Sequence, residues 1–413
     1  MERKLKRSLG KVVYGDTFWG RTKEKKLFIE KIREGANLLL TAQRRMGKTS
    51  LLRETEEELK DEIICLFVDL QDSENARDAI VEIGKRIYEK YPSKWQNIRT
   101  VFGHIVEGIE EIGVGELGIK LRAGLTAGDW ADRGDRLLEM LTKESKQVVI
   151  MIDELPILIN KILRPDKNGI TIEGKKQADQ FMSWIRRNSI QYQGKISFVL
   201  SGSIGIEPVL HQAGISATIN NFLPFELKPW MDDEAIGCLK ALARQYGIDY
   251  EQGAAEMICR KLGCNIPHHI HLFFDHLYER CQKRGVSVCT SSDVNNVYKT
   301  EMLSVKGHAE LMHYEERLKM VLPEETVSLA FEMLTEAAVV GKLTKTALAA
   351  FGESYAIKNN SNEEILNILW VLQHDGYLKE KSGSYVFVSK LLRDWWKARY
   401  EKFYVPIGQR KAK

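Results

Sequence analysis

The chain has 413 residues, 61 Lys+Arg against 57 Asp+Glu for a formal net charge of +4, and 44% apolar residues, enough for two or three domains with cores of their own. With 9% aromatics and nine prolines it is not disordered, collagenous or of low complexity, and its six cysteines are too dilute for a disulfide framework. The small charge surplus leaves any nucleic-acid binding to local patches, and no segment reaches the ~18 apolar residues of a membrane span or follows the basic start MERKLKRSLGK as a leader would, so the chain reads as a soluble, cytoplasmic protein with no membrane partner.

The first periodic element is the apolar run Asn37 to Leu40, which passes through Thr41 into AQRRMGKTS and then into LLRETEEELK, a stretch of helix formers at helical spacing. This predicts strand, loop, helix. IICLFVDL from Ile63 predicts a second strand and Ala76 to Tyr91 an amphipathic helix. The glycines of IGVGELGIKLRAGLTAG, near 112–128, predict a hairpin or irregular insertion, to which no role is assigned. VVIMI at Val148 to Ile152 ends in Asp153-Glu154, and ISFVL at Ile196 to Leu200 ends in Ser201-Gly202-Ser203. Short apolar strands alternating with helix-length segments predict an α/β domain with a parallel sheet and helices on both faces.

From Phe225 the pattern turns helical through DDEAIGCLKALARQYG, AAEMICRKLG and HLFFDHLYERCQKRG, with no strand period between them. Past a charged crossing at Glu315 to Lys319, three helical runs precede two β-like runs separated by KSGS, the order of a winged helix-turn-helix, with Gly376 suited to end the third helix. The terminal run LLRDWWKARYEKFY is an amphipathic helix with Leu392, Trp395, Trp396 and Tyr400 available for docking. The expected divisions are a basic tail 1–14, an α/β core 15–225, a helical lid 226–300, a linker 301–322, a winged helix with terminal helix 323–404 and a tail 405–413.

The chemistry concentrates at Ala42, Gln43, Arg44, Arg45, Met46, Gly47, Lys48 and Thr49, which fit the phosphate-loop pattern GxxxxGK[ST] with alanine for the first glycine. Between a strand and a helix start, the loop's consecutive N–H groups, on to Ser50, can cradle phosphates. Lys48 can reach the β and γ phosphates of ATP, and the Thr49 hydroxyl can hold Mg²⁺. Asp153 at a strand's C-terminal end suits the Mg²⁺ shell, and Glu154 can polarise a water for attack on the γ phosphate. By themselves these two carboxylates also suit a helix N-cap. Ser201 and Ser203 are placed to sense the γ phosphate or order the water, with Ser201 taken as the sensor, against the plainer reading of a Ser-Gly-Ser turn. Arg186 or Arg187 can supply a finger to a neighbouring subunit, or form a solvated helix end. Cys259, Cys264, His268, His269, His271, His276 and Cys281 lack zinc-finger spacing and read as packing residues.

With FWGRTKEKKLF at Phe18 to Phe28 upstream, these motifs resemble the STAND-class AAA-like P-loop ATPases, in particular the prokaryotic and archaeal branch with a C-terminal winged helix, over about Phe18 to Tyr400. The resemblance implies an α/β P-loop NTPase core, a helical lid and a C-terminal winged helix-turn-helix. It implies that Gly20, Arg21 and Glu24 help close the adenine pocket and that Pro267, in Gly263-Cys-Asn-Ile-Pro267, contacts the nucleotide from the lid. TAQRRMGKTSLL looks like the family's PRRxGKTSLL, with Gln43 for proline.

The third helix of the winged region, SNEEILNILWVLQHDG, carries no Lys or Arg, and Glu363 and Glu364 in its first turn repel phosphate. DNA is therefore the less favoured partner. The leading expectation is an ATP-binding, Mg²⁺-dependent ATPase, turning over slowly if at all, that works as a nucleotide-controlled switch on a protein partner or on a second copy of itself. A DNA-associated ATPase using the winged region is the alternative, and a nucleotide-holding module with little turnover the third.

Overall fold

The structure is a computed structural model that describes residues 5–91, 101, 118, 121, 125–126, 128–166, 169–355 and 361–410. The glycine-rich stretch near 112–128 lies largely outside the described residues. Two compact units divide the chain: Thr22–Ala42 with Lys48–Leu227, and Met1–Arg21 with Gln43–Gly47 and Lys228–Lys413.

The first unit contains α1 (Thr22–Arg33), β1 (Leu38–Thr41), α2 (Lys48–Leu59), β2 (Ile64–Asp69), α3 (Ala76–Lys90), α4 (Trp130–Thr142), β3 (Val148–Asp153), α5 (Leu155–Leu163), α6 (Ile172–Gln191), β4 (Ile196–Ser201), α7 (Ile206–Ala213) and β5 (Leu223–Glu226). Its five strands form one parallel sheet in the order β2-β3-β4-β1-β5. Every residue of β3 and β4 is buried, which is why both read as unbroken apolar runs rather than as alternations. Edge strand β5 buries only Phe225, whose ring meets Phe28 of α1 edge-on at 5.0 Å. Trp130 of α4 lies edge-on to Phe181 and Trp184 of α6, with centroids at 5.8 and 6.0 Å. Each buried aromatic or branched side chain here contributes about 1.5–3 kcal/mol.

The sheet order fixes where chemistry can occur. The chain leaves β1 in the interior, crosses to the β2 edge and returns through β3 and β4, so the loop after β1 opens at a reversal of strand order, where the C-terminal strand ends leave a crevice.

The second unit contains α8 (Asp232–Gln245), β6 (Asp249–Tyr250), α9 (Ala254–Leu262), α10 (Pro267–Arg284), β7 (Val288–Cys289), α11 (Ser291–Val297), a π-helical turn (Tyr298–Met302), α12 (Val305–Val321), α13 (Glu324–Val339), α14 (Lys345–Ser354), α15 (Ser361–His374), β8 (Leu378–Lys381), β9 (Ser384–Phe387) and α16 (Lys390–Tyr400). Strands β6 and β7 pair in parallel within the region expected to be helical throughout. At two residues each they are too short to show a period of two. The charged crossing is also helix: α12 buries Leu311, Tyr314, Leu318 and Val321 at helical spacing, while Glu316 and Lys319 are exposed and the buried Glu315 pairs with Arg399.

After α15, Gly376 takes φ 77° and the Tyr377 amide bonds to Leu372 O, ending the helix as the sequence predicts. β8 and β9 form an antiparallel hairpin, with a bridge from Leu343 to Tyr385. α16 docks through Leu392, Trp395 and Trp396, all at most 1% exposed, and Trp396 Nε1 donates to Thr335 Oγ1 of α13 at 3.0 Å. All six cysteines are free and buried. Among the described residues no helix is long and apolar enough to cross a membrane.

Candidate functional site

Gly47, with φ 86°, turns the chain into α2, whose first residues are Lys48, Thr49 and Ser50. A helix leaves its first N–H groups without intrahelical partners, so this end is a ready anion site. Lys48 is 7% exposed, and its Nζ donates to Ala42 O at 2.8 Å, spanning the two ends of the loop. Thr49 Oγ1 donates to Asp153 Oδ2 at 2.7 Å, bringing together two residues that are 104 positions apart. Asp153, the last residue of β3, is 3% exposed, a costly place for a carboxylate unless it is held by donors or a cation.

Glu154 follows with φ 57° and ψ 25°, a left-handed backbone that a β-carbon disfavours. Its Oε2 accepts from the amide and the hydroxyl of Ser203, at 2.9 and 2.6 Å. Gly202 makes this approach feasible: a Cβ there would lie 2.3 Å from Pro156 Cδ. Ser203, rather than Ser201, is therefore the strand-end serine that touches Glu154. Ser201 closes β4, between β1 and β3 in the sheet, and is 2% exposed with no hydrogen-bond partner for its Oγ. A buried hydroxyl without a partner at this position is what a bound oxyanion or ordered water would satisfy. The donors and carboxylates here thus fit a phosphate with a hard cation: oxygen ligands from Thr49 and Asp153, and a cation and N–H groups around the loop.

Asp69 was not singled out in the sequence. It ends β2 directly beside Asp153 in register, and burial, then the Asp153 charge among lesser causes, pushes its carboxyl above the ordinary value against the Gln71 amide, which pulls it down. The available signal was the same as for Asp153, an acid ending an apolar run.

Arg186 is exposed on α6 and takes no part in this cluster; its neighbour Arg187 pairs with Asp135 at 2.6 Å. The remaining candidates lie in the second unit. Arg21, 2% exposed with φ 56°, donates from its guanidinium to Lys228 O and to Met46 O of the loop, both at 2.9 Å, while its amide bonds to the Glu234 carboxylate. Gln43 lies against Gly376, Arg44 contributes to the charge around His313, and Arg45 pairs with Glu310 at 3.4 Å. Met46 is buried at 1% exposure. Pro267 is the first residue of α10.

No known family's sequence profile matches the chain, and no curated protein matches it in sequence. Solved structures do. A Walker-type ATPase of Pyrococcus abyssi matches at a TM-score of 0.60 and 17% identity over 95% of this chain and 99% of that one. The RuvB Holliday junction branch migration motor of Thermotoga maritima matches at 0.41 and 15% over 91% and 94%, and the Aeropyrum pernix ORC1 protein in complex with DNA at 0.40 and 12% over 93% and 94%. With its five-stranded parallel sheet and flanking helices, the chain has the α/β core of a P-loop NTPase.

Proposed function

We propose that the protein is an ATP-binding, Mg²⁺-dependent ATPase that works as a nucleotide-controlled switch, of the STAND-class branch its motifs resemble, with 323–404 as its winged helix. The observation that carries this reading is the Thr49–Asp153 hydrogen bond at 2.7 Å between a phosphate-loop helix and a buried strand-end carboxylate. Lys48 and the amides that open α2 bind the phosphates of ATP, Thr49 and Asp153 hold Mg²⁺, and Ser201 Oγ donates to the γ phosphate or its water. When bound, Mg²⁺ would supply charge neutralisation for the phosphate being transferred. Glu154, oriented by Ser203 on Oε2, accepts a proton from water as the water oxygen bonds to the γ phosphorus and the bond to the bridging oxygen breaks, giving ADP and phosphate. The resemblance assigns Arg21 and Pro267 to the nucleotide and Arg186 to a neighbouring subunit in a self-associated form.

The three helices, hairpin and bridge after Pro323 have the order of a winged helix, and the acidic first turn of α15 favours a protein partner, or a second copy of the chain, over DNA. The test is a pair of variants. Lys48→Ala is expected to abolish nucleotide binding while the protein still melts cooperatively. Glu154→Gln should bind ATP at the parent affinity and hydrolyse it at least ~100-fold more slowly, the scale of a lost general base. Parent turnover in Glu154→Gln would reduce Asp153-Glu154 to a helix cap, and unchanged nucleotide affinity in Lys48→Ala would remove the phosphate-loop assignment.

A further inference from the structure

Residues 43–47 of the phosphate loop belong to the same compact unit as the C-terminal helices, and three of them are tied there by separate contacts. Met46 O accepts from Arg21 at 2.9 Å. The Gln43 side chain packs so close to Gly376 that a Cβ on that glycine would stand 2.1 Å from Gln43 Cδ. Arg45, with φ 65°, places Nη2 3.4 Å from Glu310 Oε2 on α12, and the same oxygen lies 3.0 Å from His268 Nε2 on α10. Because an ionised carboxylate only accepts, His268 Nε2 carries the proton of that bond.

Glu310 is the counter-charge paired with Arg45. Arg44, Arg45 and Arg317 converge on His313, and burial, then those charges, lowers the His313 imidazole to about 2. His269, wholly buried with both ring nitrogens unpartnered, is lowered to about 3, first by burial. Both rings are neutral at physiological pH, so they add no positive charge beside the arginines and offset none of it. Without the Glu310 charge, Arg45 would face like charges while its backbone remains in a conformation that L residues avoid.

We infer that Glu310 is a positioning residue for the phosphate loop, holding Arg45 in its left-handed conformation so that loop occupancy by a nucleotide phosphate is coupled to helix α12. The inference rests on the nucleotide reading above. A ligand that binds the ordered loop more tightly also stabilises the Arg45–Glu310 contact, and by reciprocity the contact retains the ligand.

The test uses the full chain and a fluorescent ADP with Mg²⁺, comparing the parent, Lys48→Ala, Glu310→Gln, Arg45→Gln and the Arg45→Gln/Glu310→Gln double variant. Glu310→Gln keeps shape and removes charge; Arg45→Gln, on the loop, serves should the α12 variant fail to fold, as thermal melting will report. Each single variant is expected to release ADP about fivefold faster, the scale of a partly exposed ion pair, and the double no faster than either single, because the two residues act as one contact. Hydrogen exchange in 305–321 should slow on ADP binding in the parent and not in Glu310→Gln, a response that a merely structural ion pair would not produce. Parent release rates in both single variants, additive effects in the double, or an unchanged exchange response in Glu310→Gln would overturn the inference while Lys48→Ala still abolishes binding. A parent that binds no ADP would overturn the nucleotide reading, and this inference with it.

Discussion

Among the described residues the non-glycine positions with a left-handed backbone are Arg21, Arg45, Glu154 and Ser382, and three of these four belong to the candidate site or brace its loop. Such strain persists only where surrounding contacts over-determine it, and here each residue has them: Met46 O for Arg21, Glu310 for Arg45, Ser203 for Glu154. Glu310 also yields a pH prediction. Its carboxyl is held down from 4.5 to about 2, first by the hydrogen bond from His268. An acid with a depressed folded value contributes stability above its unfolded value and loses it as pH falls through the folded one. The stability gap between the parent and Glu310→Gln should therefore be full above pH 4.5 and close as pH approaches 2, as read by urea unfolding along an acid series. A gap that stays constant down to pH 2 would mean that the carboxylate is not held in this way. The Arg45–Glu310 pair spans 265 positions, so no local pattern could announce it, whereas Lys48 and Thr49 are singled out by a pattern of eight consecutive residues, Ala42 to Thr49.

The end of β4 shows how an element delivers a side chain. Ser-Gly-Ser reads as turn chemistry, and the sequence placed the sensing role on Ser201. Strand register does bring Ser201 to the C-terminal end of the sheet, but the close approach at Gly202 is what carries Ser203 to Glu154. Gly202→Ala should cost about 1–3 kcal/mol, because Pro156 Cδ and Cγ at 2.3 and 2.6 Å belong to a ring that cannot swing aside, and it should also lower ATP turnover by displacing Ser203. Gly194→Ala is the control: with φ 80° and open space around it, it should cost about 1 kcal/mol from backbone strain alone and leave turnover unchanged. Urea unfolding with steady-state hydrolysis separates the two, and equal loss of turnover in both would argue against the approach at Gly202. The β6–β7 pair and α12 illustrate the opposite case, one too short to show a period and the other masked by its charges until packing buried Leu311, Tyr314 and Leu318.

On the scale of the whole molecule, the cations of the terminal helix are committed to ion pairs. Arg393 pairs with Asp394 at 2.7 Å, Lys397 with Glu401 at 3.5 Å and Arg399 with Glu315 at 2.6 Å, which leaves Lys379 and Lys381 exposed on the hairpin. With Glu363 and Leu366 on its outer face and no Lys or Arg along it, α15 has no bidentate donor for guanine. Titrating the full chain against unrelated duplexes at two salt concentrations should give weak binding that varies little with sequence. The log–log salt slope from the two hairpin lysines should be about −2. A ~1000-fold preference for one duplex, removed by changing Asn362 or Asn367, would instead favour a DNA regulator. The sequence by itself determined the parallel α/β sheet, the strand–loop–helix turn at Ala42 to Thr49, the strand end at Asp153 and the order of three helices and a hairpin near the C-terminus, because apolar runs, helix ends and turn residues act over a few positions. Only the tertiary structure decided that Thr49 meets Asp153, that Ser203 holds Glu154, that Asp69 lies beside Asp153, and that Arg45 is held by Glu310. Those pairings depend on strand order and on the packing of distant segments, which no local periodicity encodes.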